Sequence, residues 1–234
     1  MKSLCSSIPK IDQGSINEDA AIATSNRIAV SDGAGGGGIY AEKWSRYLVD
    51  KLPETPIRSF AELDQWIDGI WEPFYDECEQ LAKQEGGMLL NKFYDEGSFA
   101  TLVAIWVDND KAHWIAYGDS VAFCFNTKTG ELTHSFTKLQ DFNKPPYLIN
   151  YNIELKEAGF KQGTFDIDSD CRLFCASDTL SHYIIMMYEL AHRKRFEAEL
   201  TDALNAQTRN STYIEAAETM KIDFSEVISP TFTH

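Results

Sequence analysis

The chain has 234 residues, 44% of them hydrophobic and 12% aromatic, with a formal net charge of −15. That length buries a core without disulfide or zinc staples, and the negative charge argues against non-specific binding to nucleic acid or an anionic membrane. The five cysteines are scattered, "MKSLCSSIPKIDQG" has no apolar h-region, and no apolar run nears the roughly 18 residues of a membrane span. Together these predict reduced thiols, no signal peptide and a cytoplasmic protein.

In chain order, "AAIATSNRIAVS" predicts two strands joined by a turn at Ser25 and Asn26. A glycine loop follows, then a helix in "IYAEKWSRYLVDKL" ended by Pro53. Ser59 and Glu62 have capping-box spacing, and Phe60, Leu63, Ile67, Ile70, Phe74 and Leu81 recur at three- and four-residue steps. This predicts a helix from 59 to about 85, bent near Pro73. "SFATLVAIWV", "AHWIAYG", "SVAFCFN" and "ELTHSF" predict four strands, with "DNDK" and "TKTG" as turns. Residues 138 to 163, with Pro145 and Pro146, read as an irregular surface loop. "CRLFCAS" reads as a buried strand with Cys171 and Cys175 on one face. It runs into "DTLSHYIIMMYELAHR", a helix capped by Ser177 or Asp178. "RFEAELTDALNAQ" and "STYIEAAETM" continue in helical period, and "DFSEVIS" suggests a last strand. There is no repeat, low-complexity tract or linker, so one domain over 1–234 is expected. Antiparallel hairpins with helices gathered in blocks give an α+β class.

The stretch "AVSDGAGGGG", residues 29 to 38, sets the functional question. Gly33, Gly35 and Gly38 satisfy G-x-G-x-x-G between a strand and a helix, the local context of a dinucleotide loop. Against that, Asp32 would face the pyrophosphate, and no parallel strand follows the helix. A Walker loop is excluded because no Gly-Lys-Ser/Thr is present. The other answer is a divalent metal. "NEDA" places Glu18 and Asp19 just before the first strand, "YGDS" places Asp119 between two strands, and "CASD" places Asp178 at a strand end. Carboxylates ending apolar strands cost stability unless something neutralises them. Mg²⁺ and Mn²⁺ take hard oxygen ligands and keep several waters. The Gly33 carbonyl is a further donor, and Gly35 to Gly38 leave room for water and substrate.

In that order, "INEDA", "AVSDGAGGG", "GSFATLVAIWV", "AHWIAYGDSVAFCFN" and "LFCASDTL" resemble the motifs of the metal-dependent serine/threonine protein phosphatases of type 2C, the PPM family, over most of the chain. The resemblance is closest to compact bacterial members. It implies a central β-sandwich of two antiparallel sheets with helices on both outer faces, and Mg²⁺ or Mn²⁺ as cofactor. Asp32 would bridge two ions, with Asp178 on the first and the Gly33 carbonyl and Glu18 and Asp19 serving the second. Asp119 would support a third, weaker site. Asp32 and Asp178 are therefore the candidate catalytic residues. A metal-bridging hydroxide would attack phosphorus in line, without a phospho-enzyme. The implied partners are a phosphorylated protein substrate and a cognate Ser/Thr kinase, with no nucleic acid or membrane, for a monomer.

Four positions depart from the family pattern. Gly14 stands where an arginine usually grips phosphate; Lys10 and Arg27 are substitutes only by proximity in sequence. Ile222 stands at the last metal-ligand position, with Asp223 one residue late, which on a strand turns the side chain to the other face. Thr179 replaces a glycine after Asp178, and Ala34 stands where a histidine acid often sits. Gly14 and Ile222 leave open an alternative, a catalytically weakened pseudophosphatase that binds a phosphoprotein or partner. Of the histidines, His113 and His134 read as strand residues, His192 as a helix C-terminal one, and His182, one turn after Asp178, as a satisfied helix-face residue.

Overall fold

The computed structural model describes residues 4–7, 16–36 and 38–191. Among these the chain forms strands β1 (Ala20–Ala23) and β2 (Arg27–Ser31), helices α1 (Ala41–Lys51), α2 (Phe60–Glu85) and α3 (Gly87–Asp95), and strands β3 (Leu102–Asp108), β4 (Lys111–Tyr117), β5 (Val121–Asn126) and β6 (Glu131–His134). Strands β7 (Phe160–Asp166) and β8 (Cys171–Ala176) and helix α4 (Asp178–Ala191) complete it. One antiparallel sheet has the order β1-β2-β3-β4-β7 and the other β6-β5-β8.

The middle strands are apolar at nearly every position because both of their faces are covered. Along β3, Leu102, Ala104 and Trp106 point into one core, while Val103 and Ile105 point into another. On β5, Val121, Phe123 and Phe125 face α4, while Ala122 and Cys124 face the larger sheet. The layers are therefore α1 with α2, the five-stranded sheet, the three-stranded sheet, and α4. This is the α+β sandwich expected from the sequence. β2 and β3 run antiparallel, so the glycine loop is not part of the βαβ unit a dinucleotide site requires.

Helix α2 starts where its cap was expected. Ser59 accepts the Glu62 N–H at 3.2 Å, an arrangement that stabilises a helix by about 1 kcal/mol. Glu62 reaches back one residue further than in the usual box and accepts the Arg58 N–H. Leu63, Ile67 and Phe74 are buried, but the inner stripe ends on Cys78 and Ala82 rather than Leu81.

The structure corrects three expectations. Helix α3 was not anticipated, because Gly86-Gly87 reads as a break; the chain turns there at φ +67 and +58 and starts a new helix. The segment 138–163 is not wholly a surface loop. It holds a 3-10 turn at Leu139–Asn143 and runs into β7. Ile149 within it is fully buried and exchanges backbone hydrogen bonds with Ala100 at 2.7 and 3.1 Å, while its carbonyl accepts the Trp44 indole N–H. Strand β8 is an edge strand among the described residues and only half covered, although Cys171 and Cys175 do share the inter-sheet face. No helix among the described residues is long and apolar enough to cross a membrane. The segments expected as later helices and a last strand, with Lys10, Gly14, His192, Ile222 and Asp223, lie outside the described residues.

Candidate metal centre at one end of the sandwich

Two registers bring four aspartates to one end. In the larger sheet Ala20 pairs with Ser31, so one step further Asp19 stands opposite Asp32. In the smaller sheet Val121 pairs with Ala176, so two steps further Asp119 stands opposite Asp178. Antiparallel partners point to the same side of their sheet, and stacking the sheets sets one pair against the other. Ser177, beside Asp178, donates its hydroxyl to Asp19 Oδ2 at 3.3 Å and ties the two layers together.

The electrostatics record this crowding. The Asp32 carboxyl is pushed up to about 8, by burial first, then by the charges of Asp19 and Asp178, a hydrogen bond with Asp19, and Asp119. Asp119, 9% exposed, rises to about 6 through burial and then Asp178. Carboxyls pushed up by burial and by one another mark a place where nearby positive charge would be favourable.

Glu18 is placed by its backbone. Its carbonyl accepts the Ser45 hydroxyl at 2.5 Å and the Gly33 N–H at 3.2 Å. Its side chain lies across the glycine loop: a Cβ on Gly35 would fall 1.8 Å from Glu18 Oε1. A Cβ on Gly33 would meet two backbone carbonyl oxygens at 2.7 Å, and one on Gly38 the Gly97 carbonyl at 2.5 Å, whereas Gly36 faces open space. Three of the loop's glycines thus allow close approach of other groups, one of them an acidic side chain.

Asp178 opens α4. Its Oδ1 accepts both the N–H and the hydroxyl of Thr179, at 2.5 and 3.1 Å. Thr179 is exposed, so the absence of glycine there creates no crowding. His182 packs edge-on against Phe142 at 5.4 Å, and burial lowers its pKa against a smaller opposing pull from Asp178. It is the packed helix-face residue expected. His113 is also a surface-network residue, with Nδ1 3.0 Å from Thr164 Oγ1.

Arg27 does not serve the site. Its Nη1 donates to the Leu52 carbonyl at 2.6 Å, and it begins β2, about 17 Å along the strand from Asp32 at 3.3 Å per residue. Sequence reading also passed over Ser45, Thr101 and Ser120, and gave Ser177 only as a helix cap, whereas its hydroxyl reaches Asp19. A serine adjoins an aspartate at Ser31-Asp32, Asp119-Ser120 and Ser177-Asp178, but also in the turn Asp168-Ser169-Asp170 at the other end of the sheets, so adjacency alone did not mark the site.

The donor set suits a hard divalent cation: carboxylates, backbone carbonyls and a loop bare of side chains. Among the described residues, no group of three or more Asp, Glu, His or Cys side chains is drawn together closely enough to hold a metal ion by itself.

No family model matches the chain, and no curated protein does. Solved structures do. The catalytic domain of the serine/threonine protein phosphatase PstP, in complex with two manganese ions, superposes with a TM-score of 0.52 at 20% identity, covering 89% of this chain and 87% of that one. The serine/threonine phosphatase Stp1 from Staphylococcus aureus superposes at 0.50 and 15% identity, covering 93% of each chain. At that identity the likeness establishes architecture: the chain has the fold of bacterial type 2C serine/threonine phosphatases over nearly its full length.

Proposed function

We propose that the protein is a Mg²⁺- or Mn²⁺-dependent phosphatase that hydrolyses phosphoserine and phosphothreonine on proteins. The observation that carries the reading is the convergence of Asp19, Asp32, Asp119 and Asp178 at one end of the sandwich, a crowding that pushes the Asp32 carboxyl up, in a fold shared with manganese-bound PstP. The residues that would hold the ions are Asp32, as the ligand shared between two of them, with Asp178 for the first and Glu18, Asp19 and the Gly33 carbonyl for the second. Asp119 would support a third, weaker site, and Asp223 would be the candidate for a further carboxylate. When bound, the ions lower the pKa of water and stabilise both oxygens of an in-line displacement.

The chain's own residues then do three things. Asp32, pushed up by burial and by its acidic neighbours, would be the carboxylate shared by the ions. The glycine loop lets Glu18 and a phosphate approach bare backbone. Ser177 holds Asp19 against Asp178. No nucleophilic side chain is required: Cys78 and Cys124 are buried with thiols pushed up to about 12, the reverse of an activated nucleophile. A phosphoprotein substrate and an opposing Ser/Thr kinase are part of the same proposal, supported by the fold shared with serine/threonine protein phosphatases.

Turnover of p-nitrophenyl phosphate and of a phosphothreonine peptide, with Mn²⁺ and with EDTA, tests the reading. Metal-dependent turnover that disappears in Asp32→Ala supports it. Metal binding without turnover of either substrate overturns it in favour of a binding protein.

A further inference from the structure

Thr101 stands where the two carboxylate pairs meet. It precedes β3, and the pairing of Leu102 with Tyr117 carries it opposite Gly118. Thr101 is 2% exposed, Ser120 1% and Ser31 0%. The Thr101 N–H donates to the Asp32 carbonyl at 2.8 Å, and its own carbonyl accepts the Ser31 hydroxyl at 2.6 Å. Its Oγ1 accepts the Asp32 N–H at 3.2 Å and lies 2.7 Å from Ser120 Oγ, one hydroxyl donating to the other. Ser120 adjoins Asp119. A continuous path of hydrogen bonds, part-buried at Asp32 and buried at Ser120, therefore runs from the Asp32 amide just after β2 to Ser120 just before β5, beside Asp119.

The methyl group contributes as well. A Cβ on Gly118 would fall 2.7 Å from Thr101 Cγ2, and Gly118, at φ +103, makes the turn that carries the chain from one sheet to the other. The hydroxyl is the directional part of the contact. Valine keeps the shape of threonine but leaves the Asp32 N–H and the Ser120 hydroxyl without this partner in a buried place.

We propose that Thr101 and Ser120 are positioning residues: their hydroxyl pair fixes the separation between the Asp19/Asp32 pair and the Asp119/Asp178 pair, and so sets how tightly the divalent ion is held. The claim rests on the metal-dependent reading above.

Isothermal titration with Mn²⁺ alone, melting of the metal-free protein and amide hydrogen exchange test it on Thr101→Val, Thr101→Ser and Ser120→Ala. Thr101→Val should weaken Mn²⁺ binding about 10- to 100-fold, the range for lost supporting contacts at metal sites. Ser120→Ala should weaken it about tenfold, and Thr101→Ser should stay within about threefold of wild type. The metal-free melting temperatures of the valine and serine variants should lie close together. Valine and serine variants with equal Mn²⁺ affinity, or losses that only follow the melting temperature, overturn the proposal. Wild-type protein that binds no Mn²⁺ overturns the metal reading and the affinity claim with it. The Asp32 amide then still decides whether the hydroxyl holds that residue: exchange faster in Thr101→Val than in Thr101→Ser sustains the link, and equal exchange removes it.

Discussion

At the β3–β4 end of the sandwich Asp108, Asp110, Asp166 and Asp168 stand in water, while at the β4–β5 end Asp19, Asp32, Asp119 and Asp178 are half-buried or buried against one another. The exposed group has ordinary partners: Lys111 meets Asp166, and Asp168 is held below the usual carboxylate range by the Cys171 side chain and the Asp170 N–H. In the inward group Asp32 is displaced in the opposite direction, to about 8. Residue type is the same at both ends. Register and burial make one end a solvated turn and the other a crowded cluster of carboxylates.

The sharpest way to break this comparison is to remove one carboxylate from each end. Asp32→Ala should lower metal-dependent turnover by on the order of 100-fold or more, while Asp110→Ala should leave kcat and KM unchanged; similar losses in both would erase the distinction. Next in size is a pH effect on the metal-free protein. An unfolded aspartate ionises near 3.8, whereas folded Asp32 keeps its proton to about 8. The folded state is the one that holds the extra proton, so the stability Asp32 contributes is complete below pH about 4 and is lost as pH climbs towards 8. Asp119 follows the same course up to about 6. Thermal melts should show Asp32→Asn gaining about 5 °C over wild type at pH 8, from roughly 2 kcal/mol after allowance for solvent screening, and close to nothing at pH 4. Added Mn²⁺ should raise the wild-type melting temperature more at pH 8 than at pH 5, because it competes with protons.

Smaller effects should separate glycines within one loop. Gly35→Ala must displace Glu18, so Mn²⁺ titration should show weaker binding by about tenfold with little change in melting temperature, since the displaced group is a side-chain end. Gly38→Ala meets backbone at 2.5 Å and should cost about 1–3 kcal/mol of stability. Gly36→Ala should be neutral in both measurements. Smallest of all, Lys111→Ala at the solvated end should leave the melting temperature and activity unchanged, because exposed ion pairs contribute little.

Much of the site was legible because its acids end strands whose composition is unambiguous. "RIAVSD" and "LFCASD" each close an apolar run on a carboxylate, and the two-strand hairpin at Ser25-Asn26 fixes which residue faces Asp32. What sequence could not give was the support. Thr101 and Ser120 are 19 residues apart and meet only because β3 pairs with β4 and the chain then crosses sheets at Gly118. Strand β7, "FKQGTFD", escaped notice because it is an edge among the described residues with one buried side chain, Phe165; its Gly163 is covered by the Trp114 ring from the neighbouring strand, a contact no local pattern announces. Ile149 was hidden for a similar reason, since its partner Ala100 is distant in sequence and its flanks, Pro145, Pro146 and Asn150, read as loop.

The uneven placement of aromatic side chains has a practical consequence. Of the chain's five tryptophans, Trp44 and Trp106 lie in the core between the α1–α2 layer and the five-stranded sheet, Trp66 and Trp71 pack against that core partly buried, and Trp114 packs against the core between the sheets. The core beneath α4 contains none among the described residues. Intrinsic indole emission therefore watches one half of the molecule. If α4 peels away before the rest unfolds, a denaturation curve followed at 340 nm or thereabouts would stay flat while far-ultraviolet ellipticity already falls, and an indole engineered at Phe142 would recover the missing transition.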